Sequence, residues 1–161
     1  MPQAETLHFG TLDFDDRAVI EFPRGLPAFE DQRRFLIIER EDTQPLVFLQ
    51  SLDRPNLLFM ALPVRAVEPD YRLAPCAEDL EELRLDLKHD TGDDGAVTTL
   101  GVVTVWEDSG ATINLMAPIV INTRTRRALQ VVQPWAGYSH QHRLAGQASV
   151  KPESPAAVTA Q

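Results

Sequence analysis

The run from Asn114 to Asn122, Asn-Leu-Met-Ala-Pro-Ile-Val-Ile-Asn, constrains the fold of this chain more than any other segment. Its length and its Ile-Val-Ile core are typical of a buried strand. Pro118 lacks a backbone donor and therefore belongs at a strand start, an edge or a bulge. Asparagine favours turns, because its amide hydrogen-bonds nearby backbone and it tolerates left-handed conformation. The run predicts two short strands that meet at a bend, and its simplest interpretation is a kinked core strand.

Short β-prone runs recur along the rest of the chain. Each is rich in aromatic and β-branched residues and is bounded by Pro, Gly, Asp or Asn, which is the pattern of strands joined by turns. The first two runs are predicted to pair as a hairpin across residues 15–17. The predicted strands span residues 8–14, 18–22, 34–40, 46–51, 57–62, 96–106 and 127–133, with residues 70–73 as a further candidate.

One segment, residues 77–84, is predicted to be helical. It follows Pro75, carries acids in its first turn and places Leu80 and Leu83 on one face. Nine or ten short strands and a single short helix predict a mainly β fold, a compact antiparallel β-barrel-like single domain, with a sandwich as the alternative. We expect this domain to span residues 1–145. Residues 146–161 have few large apolar side chains and are expected to form a disordered tail.

The charge of the chain limits the partners that it can bind. With 24 Asp and Glu against 15 Lys and Arg, the formal net charge is −9, which disfavours direct binding to nucleic acid or to an anionic membrane. All but one of the acids precede Ser109, so we expect faces of different potential. The single cysteine, Cys76, permits no internal disulfide and fits a reducing compartment. Neither a signal peptide nor a membrane-spanning stretch is evident, which predicts a soluble cytoplasmic protein.

Groups that would support catalysis or metal binding are few. His140 and His142 would point the same way on a strand, but the sequence places no third ligand, and a polar terminal strand explains them equally well. Residues 90–95 resemble half of an EF-hand loop, yet Gly101 stands where the bidentate glutamate is required, so we predict a solvated turn. The sequence thus predicts a non-enzymatic domain with no cofactor and no metal.

Five motifs follow one another in order along the chain. They are Gly-Leu-Pro-x-Phe-Glu at 25–30, Phe-Leu-Gln-Ser at 48–51, Pro-Asp-Tyr at 69–71, the run from Asn114 to Asn122, and Gln-Val-Val at 130–132. In this order they resemble the flagellar assembly factor FliW family, over residues 9–144. Two features depart from the family pattern: Ala128, where a glycine is expected in the final hairpin, and the acidic stretch 90–95.

The resemblance implies a small β-barrel-like protein without catalytic activity that acts as a partner switch. Members of the family bind the translational repressor CsrA and relieve its repression of flagellin message, and cytoplasmic flagellin competes for them. The acidic charge of this chain agrees, because CsrA presents basic surface to RNA and would attract an acidic protein. Inhibition away from the RNA contacts fits better than mimicry of a base sequence, since nothing in the chain imitates a base edge.

The family motifs also select candidate partner-binding residues. The loop at 25–30 offers an apolar anchor with a charged rim, the strand end at 50–51 offers polar groups to a partner backbone, and the bend at 114–122 could leave an unpaired edge for a partner segment. Each has a structural interpretation as well, in the core, in a bulge or in a turn. The candidates are Gly25, Leu26, Pro27, Phe29, Glu30, Gln50, Ser51, Asn114, Pro118 and Asn122.

Three alternative functions remain open at this point. A small-ligand-binding β-barrel would enclose a cavity, and a filled core would count against it. A metal-dependent hydrolase would be built on His140 and His142. A flagellin-only chaperone would share the fold and differ only in its partners, so the sequence does not separate it from a CsrA antagonist.

Overall fold

The computed structural model describes residues 2–85 and 96–144, so the stretch at 90–95 and the tail at 146–161 lie outside the described residues. Strands dominate this part of the chain, and short 3-10 turns occur at Asp16–Ala18 and Pro134–Ala136. The strands and helices are β1 Gln3–Thr6, β2 Gly10–Asp13, β3 Val19–Glu21, β4 Arg34–Glu39, β5 Val47–Ser51, β6 Leu58–Pro63, α1 Val64–Val67, α2 Ala77–Leu83, β7 Val97–Trp106, β8 Gly110–Ile113, β9 Ile119–Asn122, β10 Arg127–Gln130 and β11 His142–Arg143.

Seven strands close into a barrel. They follow one another in the order β7-β6-β5-β4-β3-β10-β9, and the pairing of β9 with β7 completes the ring. Every pair in the ring is antiparallel except β3 and β10, which run parallel where Glu21 faces Arg127. Closure removes the exposed edges that open sheets must protect. The sequence prediction of a mainly β, barrel-like fold is confirmed.

The barrel closes on β7, because one edge of this strand pairs with both β9 and β8. Its first half, residues 97–100, pairs with β9, and its second half, residues 103–106, pairs with β8. At the change of partner lies Gly101, where an added Cβ would stand 2.5 Å from Cγ1 of Ile113. A side chain at this position would push β8 away from β7, so the glycine permits the close approach of the two strands.

Residues 114–118 form an arch between β8 and β9. Ile113 faces Val103 of β7 and Ile119 faces Leu100, so the five residues of the arch lie opposite only two residues of β7. The extra length forces the chain out of the ladder, as in an enlarged β-bulge. The prediction of two short strands within the run 114–122 is therefore only half right: its second half forms β9, whereas its first half is the arch and the preceding strand, β8, ends at Ile113.

The interior of the barrel is filled with apolar side chains. Phe22, Phe35 and Phe59 form a series of ring contacts with centroid distances of 5.2 and 6.1 Å, and Leu49 and Ala128 are completely buried beside them. Such a filled interior counts against a barrel that encloses a small ligand.

Both faces of β9 are buried, which explains its three successive apolar residues at 119–121. Ile119 and Ile121 point into the barrel, whereas Val120 packs on the outside against Leu83 and Leu85 at the end of α2. The helix prediction is confirmed, and α2 ends at Leu83. No helix within the described residues is long and apolar enough to cross a membrane.

The predicted hairpin between residues 8–14 and 18–22 is wrong. β2 instead pairs with β1 in a separate two-stranded sheet, and β3 pairs with β4 and β10. The local reason is that the Thr6 hydroxyl donates to the carbonyl of Gly10, which has a positive φ of 69°, and so closes a tight turn before β2. Residues 70–73 form no strand either; the hydroxyl of Tyr71 instead makes a buried hydrogen bond to the carbonyl of Leu115.

Candidate protein-binding groove

An open groove with a volume of about 610 Å³ lies at one end of the barrel. Leu26 and Phe59 belong to the barrel core and Val102 packs against that core, and these three side chains also line the groove. The arch contributes Met116 and Ala117. The groove is therefore an apolar depression that is continuous with the hydrophobic interior.

The groove exists because two strands extend beyond the closed part of the barrel. Thr104 and Trp106 line it on β7, and Gln130 and Val132 line it at the end of β10. Because alternate residues of a strand share a face, these positions continue the inward-facing register that includes the buried Ala128. The same face that is covered inside the barrel is left open here.

Two large apolar side chains are exposed at the groove. Trp106 is 41% exposed and Val132 is 52% exposed. The indole Nε1 of Trp106 donates a hydrogen bond of 2.9 Å to Oγ1 of Thr112, which fixes the position of the ring. Exposed apolar surface beside a depression is typical of a protein-binding site.

The side chain of Asn114 shapes the arch from within. Its Oδ1 accepts hydrogen bonds from the backbone N–H groups of Met116 at 3.1 Å and Ala117 at 2.9 Å. Nε2 of Gln130 donates to the carbonyl of Ala117 at 2.9 Å. These contacts hold the arch in the wall of the groove.

A buried polar network supports the arch from behind. The hydroxyl of Tyr71 donates to the carbonyl of Leu115 and accepts from Nε2 of Gln133 at 2.8 Å, and Oε1 of Gln133 accepts from the N–H of Ala74 at 2.6 Å. Burial raises the pKa of Tyr71 to about 12, against a smaller opposing effect of the Gln133 hydrogen bond. The hydroxyl therefore remains a donor at neutral pH.

The groove differs from the acidic chain as a whole in the charge of its side chains. In the part of the chain that the structure describes, its lining includes no Asp, Glu, Lys or Arg, and His140 is the titratable residue there. Among the described residues, no group of three or more His, Cys, Asp or Glu could hold a metal ion. The arrangement offers apolar contact and amide hydrogen bonds, which are the means of recognising another polypeptide.

The model of the FliW protein family matches residues 3–144, which is nearly all of the part that the structure describes. This chain belongs to the FliW family. It is 34% identical over 140 residues to the flagellar assembly factor FliW of Heliobacterium modesticaldum, covering 87% of this chain and 88% of that protein. It is 36% identical over 140 residues to that of Pseudothermotoga lettingae, covering 83% and 82%.

The fold agrees with a solved member of the FliW family. A crystal structure of the flagellar assembly factor FliW superimposes with a TM-score of 0.76 at 30% identity and covers 88% of this chain and 96% of that chain. The chain is thus an acidic β-barrel of the flagellar assembly factor family, and the family resemblance drawn from the five motifs is confirmed.

The FliW motif at 25–30 forms a tight loop at the groove. Gly25 has a positive φ of 65°, and an added Cβ would stand 2.5 Å from the Cα of Glu30, because the loop folds back on itself. Leu26 is buried in the core, in agreement with the structural interpretation of this loop, whereas Pro27 is exposed. Both residues line the groove. Oε2 of Glu30 accepts from the N–H of Ala28 at 3.1 Å.

Phe29 lies on a different side of the same loop and does not line the groove. Its ring contacts Phe59 edge-on at a centroid distance of 5.6 Å, and the guanidinium of Arg54 lies 5.8 Å from its centroid. Phe29 is therefore half-buried against the core and keeps a partly accessible face.

An ion-pair cluster fastens the start of this loop to α2. The guanidinium of Arg24 contacts Glu82 at 2.9 Å and Asp79 at 3.4 Å, and the hydrogen bond to Glu82 raises the pKa of Arg24 above its ordinary value. Nε of Arg127 donates to the carbonyl of Glu82 at 3.1 Å. The cluster links α2 to both the loop and β10.

Gln50 and Ser51 are completely buried and do not face the groove. Oγ of Ser51 donates to Oε1 of Gln32 at 2.7 Å. Nε2 of Gln50 donates to three carbonyls, at 3.0 to 3.2 Å, in and around the turn between β5 and β6, those of Ser51, Pro55 and Leu57. The strand-end motif therefore stabilises a turn.

Asn122 and Pro118 are also buried, at the far end of the bend. Nδ2 of Asn122 donates to the carbonyls of Leu83 at 2.8 Å and Arg84 at 3.2 Å, so it holds the end of α2 against β9. The carbonyl of Pro118 accepts from the N–H of Val131 at 2.9 Å. The expected unpaired edge at Pro118 is thus occupied by the chain's own residues after β10.

The groove brings together three of the ten predicted site residues, Leu26, Pro27 and Asn114. Trp106 and Val132, which also line the groove, were not predicted as site residues from the sequence; both lie at strand ends beside turn signals. A tryptophan at the end of an inward-facing strand register was the sequence signal for such a site. Whether that tryptophan is exposed depends on which neighbouring strands cover it in the fold.

Proposed function

We propose that this member of the FliW family is a non-enzymatic, cytoplasmic regulator that acts by binding partner proteins and uses no cofactor. The observation that carries the proposal is the open apolar groove, where three motif residues meet and where the described lining holds no set of titratable groups. Family membership along residues 3–144 supports it.

The partners that we propose are the translational repressor CsrA and flagellin. In this account the chain binds CsrA and antagonises it, and competing flagellin displaces the repressor, which couples flagellin translation to flagellar assembly. The net charge of −9 supports the first interaction, because an acidic protein is attracted to the basic surface that an RNA-binding repressor presents. The same charge argues against direct contact with nucleic acid or an anionic membrane.

The ten motif residues divide into two proposed roles. We assign partner contact to Leu26, Pro27 and Asn114 in the groove and to Phe29 and Glu30 on the neighbouring surface of the loop. The remaining five are assigned structural roles, in the loop at 25–30, in the turn between β5 and β6 and at the two ends of β9, and they are Gly25, Gln50, Ser51, Pro118 and Asn122.

Calorimetric titration with purified CsrA and, separately, with purified flagellin tests the proposal, followed by titration of flagellin into the preformed complex with CsrA. We expect saturable binding of both proteins and displacement of CsrA by flagellin. Binding of flagellin alone would replace the switch by a flagellin-only chaperone. Binding of neither protein would overturn the proposed function.

A further inference from the structure

We propose that the groove binds an uncharged, apolar segment of a partner protein, with Trp106 and Val132 as its anchors. The inference rests on the proposed partner-binding function and specifies the chemistry of the segment that enters the groove. Charge, apolar surface and free amide groups each support it.

The neutral lining selects an uncharged occupant. Although the whole chain carries a net charge of −9, no carboxylate of the part that the structure describes lines the groove, so a basic side chain would find no partner among these residues. A charged group buried against Phe59 and Val102 would lose its hydration without compensation. A basic partner surface is better satisfied on the acidic faces of the molecule, such as that of α2 with Glu78 and Glu81 exposed.

The apolar floor and rim favour large apolar side chains. The floor is continuous with the barrel core, and Trp106 and Val132 stand partly exposed above it. Tryptophan is among the residues most often responsible for binding energy at protein interfaces, where it is desolvated by the partner. A segment that covers both side chains would bury the apolar surface that the folded chain leaves open.

Two amide groups remain available to the backbone of such a segment. Within the described residues, the side-chain hydrogen bonds of Asn114 use Oδ1 and that of Gln130 uses Nε2. Nδ2 of Asn114 and Oε1 of Gln130 are therefore free to pair with one carbonyl and one N–H of a bound chain. A donor and an acceptor in the same groove suit a polypeptide better than a hydrocarbon ligand.

The test uses overlapping synthetic peptides that cover flagellin and CsrA, titrated into the full chain carrying Trp135→Phe. Trp135 is 72% exposed and does not line the groove, so its removal leaves Trp106 as the only fluorescent indole. We expect uncharged apolar peptides to shift the Trp106 emission to shorter wavelength. Replacing one apolar residue of a binding peptide by lysine is expected to abolish the shift.

The matched variants are Val132→Glu, which places a charge in the groove, and Leu7→Glu, which places the same charge at a 66% exposed leucine outside it. We expect Val132→Glu to weaken binding of the peptide and of the intact partner by about tenfold or more and Leu7→Glu to leave both unchanged. If the intact partners bind but Val132→Glu has no effect, the groove inference is overturned and the proposed function stands. If only charged peptides shift Trp106, the inference is likewise overturned. If no intact partner binds, the proposed function fails, whatever the peptides do.

Discussion

The hydroxyl of Tyr71 donates a hydrogen bond to the backbone carbonyl of Leu115, 44 residues further along the chain. Tyr71 is only 2% exposed, and the contact ties the segment after α1 to the arch in the wall of the groove. The arch has left the β-ladder at this point, so part of its hydrogen bonding must come from a side chain. The position of the groove wall thus depends on a residue that lies outside the groove.

Tyr71→Phe is expected to destabilise the fold by about 1–3 kcal/mol, because it leaves the carbonyl of Leu115 and Nε2 of Gln133 buried without their partner. Chemical denaturation measures the loss. The control is Tyr138→Phe, since the hydroxyl of Tyr138 accepts from the exposed N–H of Arg72, which water can satisfy. Equal losses for the two variants would argue against the network as the support of the arch.

Alkaline pH is expected to destabilise the protein through the same hydroxyl. The pKa of Tyr71 lies near 12 in the folded chain against an ordinary value of 10, so the folded state holds this proton more tightly than the unfolded state. The stabilisation is fully present below pH 10 and is lost as the pH rises through 12. Denaturation curves across this window should fall less steeply for Tyr71→Phe than for the unaltered chain; parallel curves would refute the assignment.

Gly25→Ala is expected to destabilise the fold by more than Gly10→Ala. Both glycines have positive φ, which costs alanine about 1 kcal/mol, but only at Gly25 would the Cβ collide with the backbone of Glu30, whereas at Gly10 nothing lies within 4 Å. The difference in free energy of unfolding between the two variants isolates the collision. If the two losses match, the loop at 25–30 is not as closely folded as described.

Asn122→Ala is expected to cost about 2–4 kcal/mol, since its amide satisfies carbonyls at the end of α2 and Oδ1 accepts from the N–H of Arg124 at 3.0 Å. The exposed Asn56 in the turn before β6 provides the control, and Asn56→Ala should change stability little. Thermal unfolding of both variants measures the contrast. A small effect at Asn122 would contradict its assignment as the residue that holds the end of α2 against β9.

The sequence carried enough information for the barrel because its strands are marked by local signals. The run at 114–122, with its Ile-Val-Ile core, predicted a buried strand, and the packing of Val120 against Leu83 covers the outer face of β9. The prediction of the first hairpin was wrong because β1, the true partner of β2, is a polar strand with few β-prone residues and was not predicted. Strand pairing there depends on the turn at Gly10, which residue composition does not encode.

The site was less predictable, because the residues of the family motifs are mostly not the residues that are exposed at the groove. Gln50 and Ser51 carry a family motif yet are fully buried, because their side chains pair with polar groups in and around the turn between β5 and β6. The sequence pattern predicts Trp106 only as an ordinary strand residue. Its exposure arises only where β7 runs beyond the closed barrel, and that depends on the three-dimensional path of the arch.

The most direct test of the groove as the partner-binding surface compares Trp106→Ala with Trp135→Ala in calorimetric titrations with CsrA and with flagellin. Both replace an exposed tryptophan, but only Trp106 lines the groove. We predict that Trp106→Ala weakens binding of at least one partner by about tenfold or more, while Trp135→Ala binds both as the unaltered chain does. Unchanged affinities of Trp106→Ala for both partners would contradict the account.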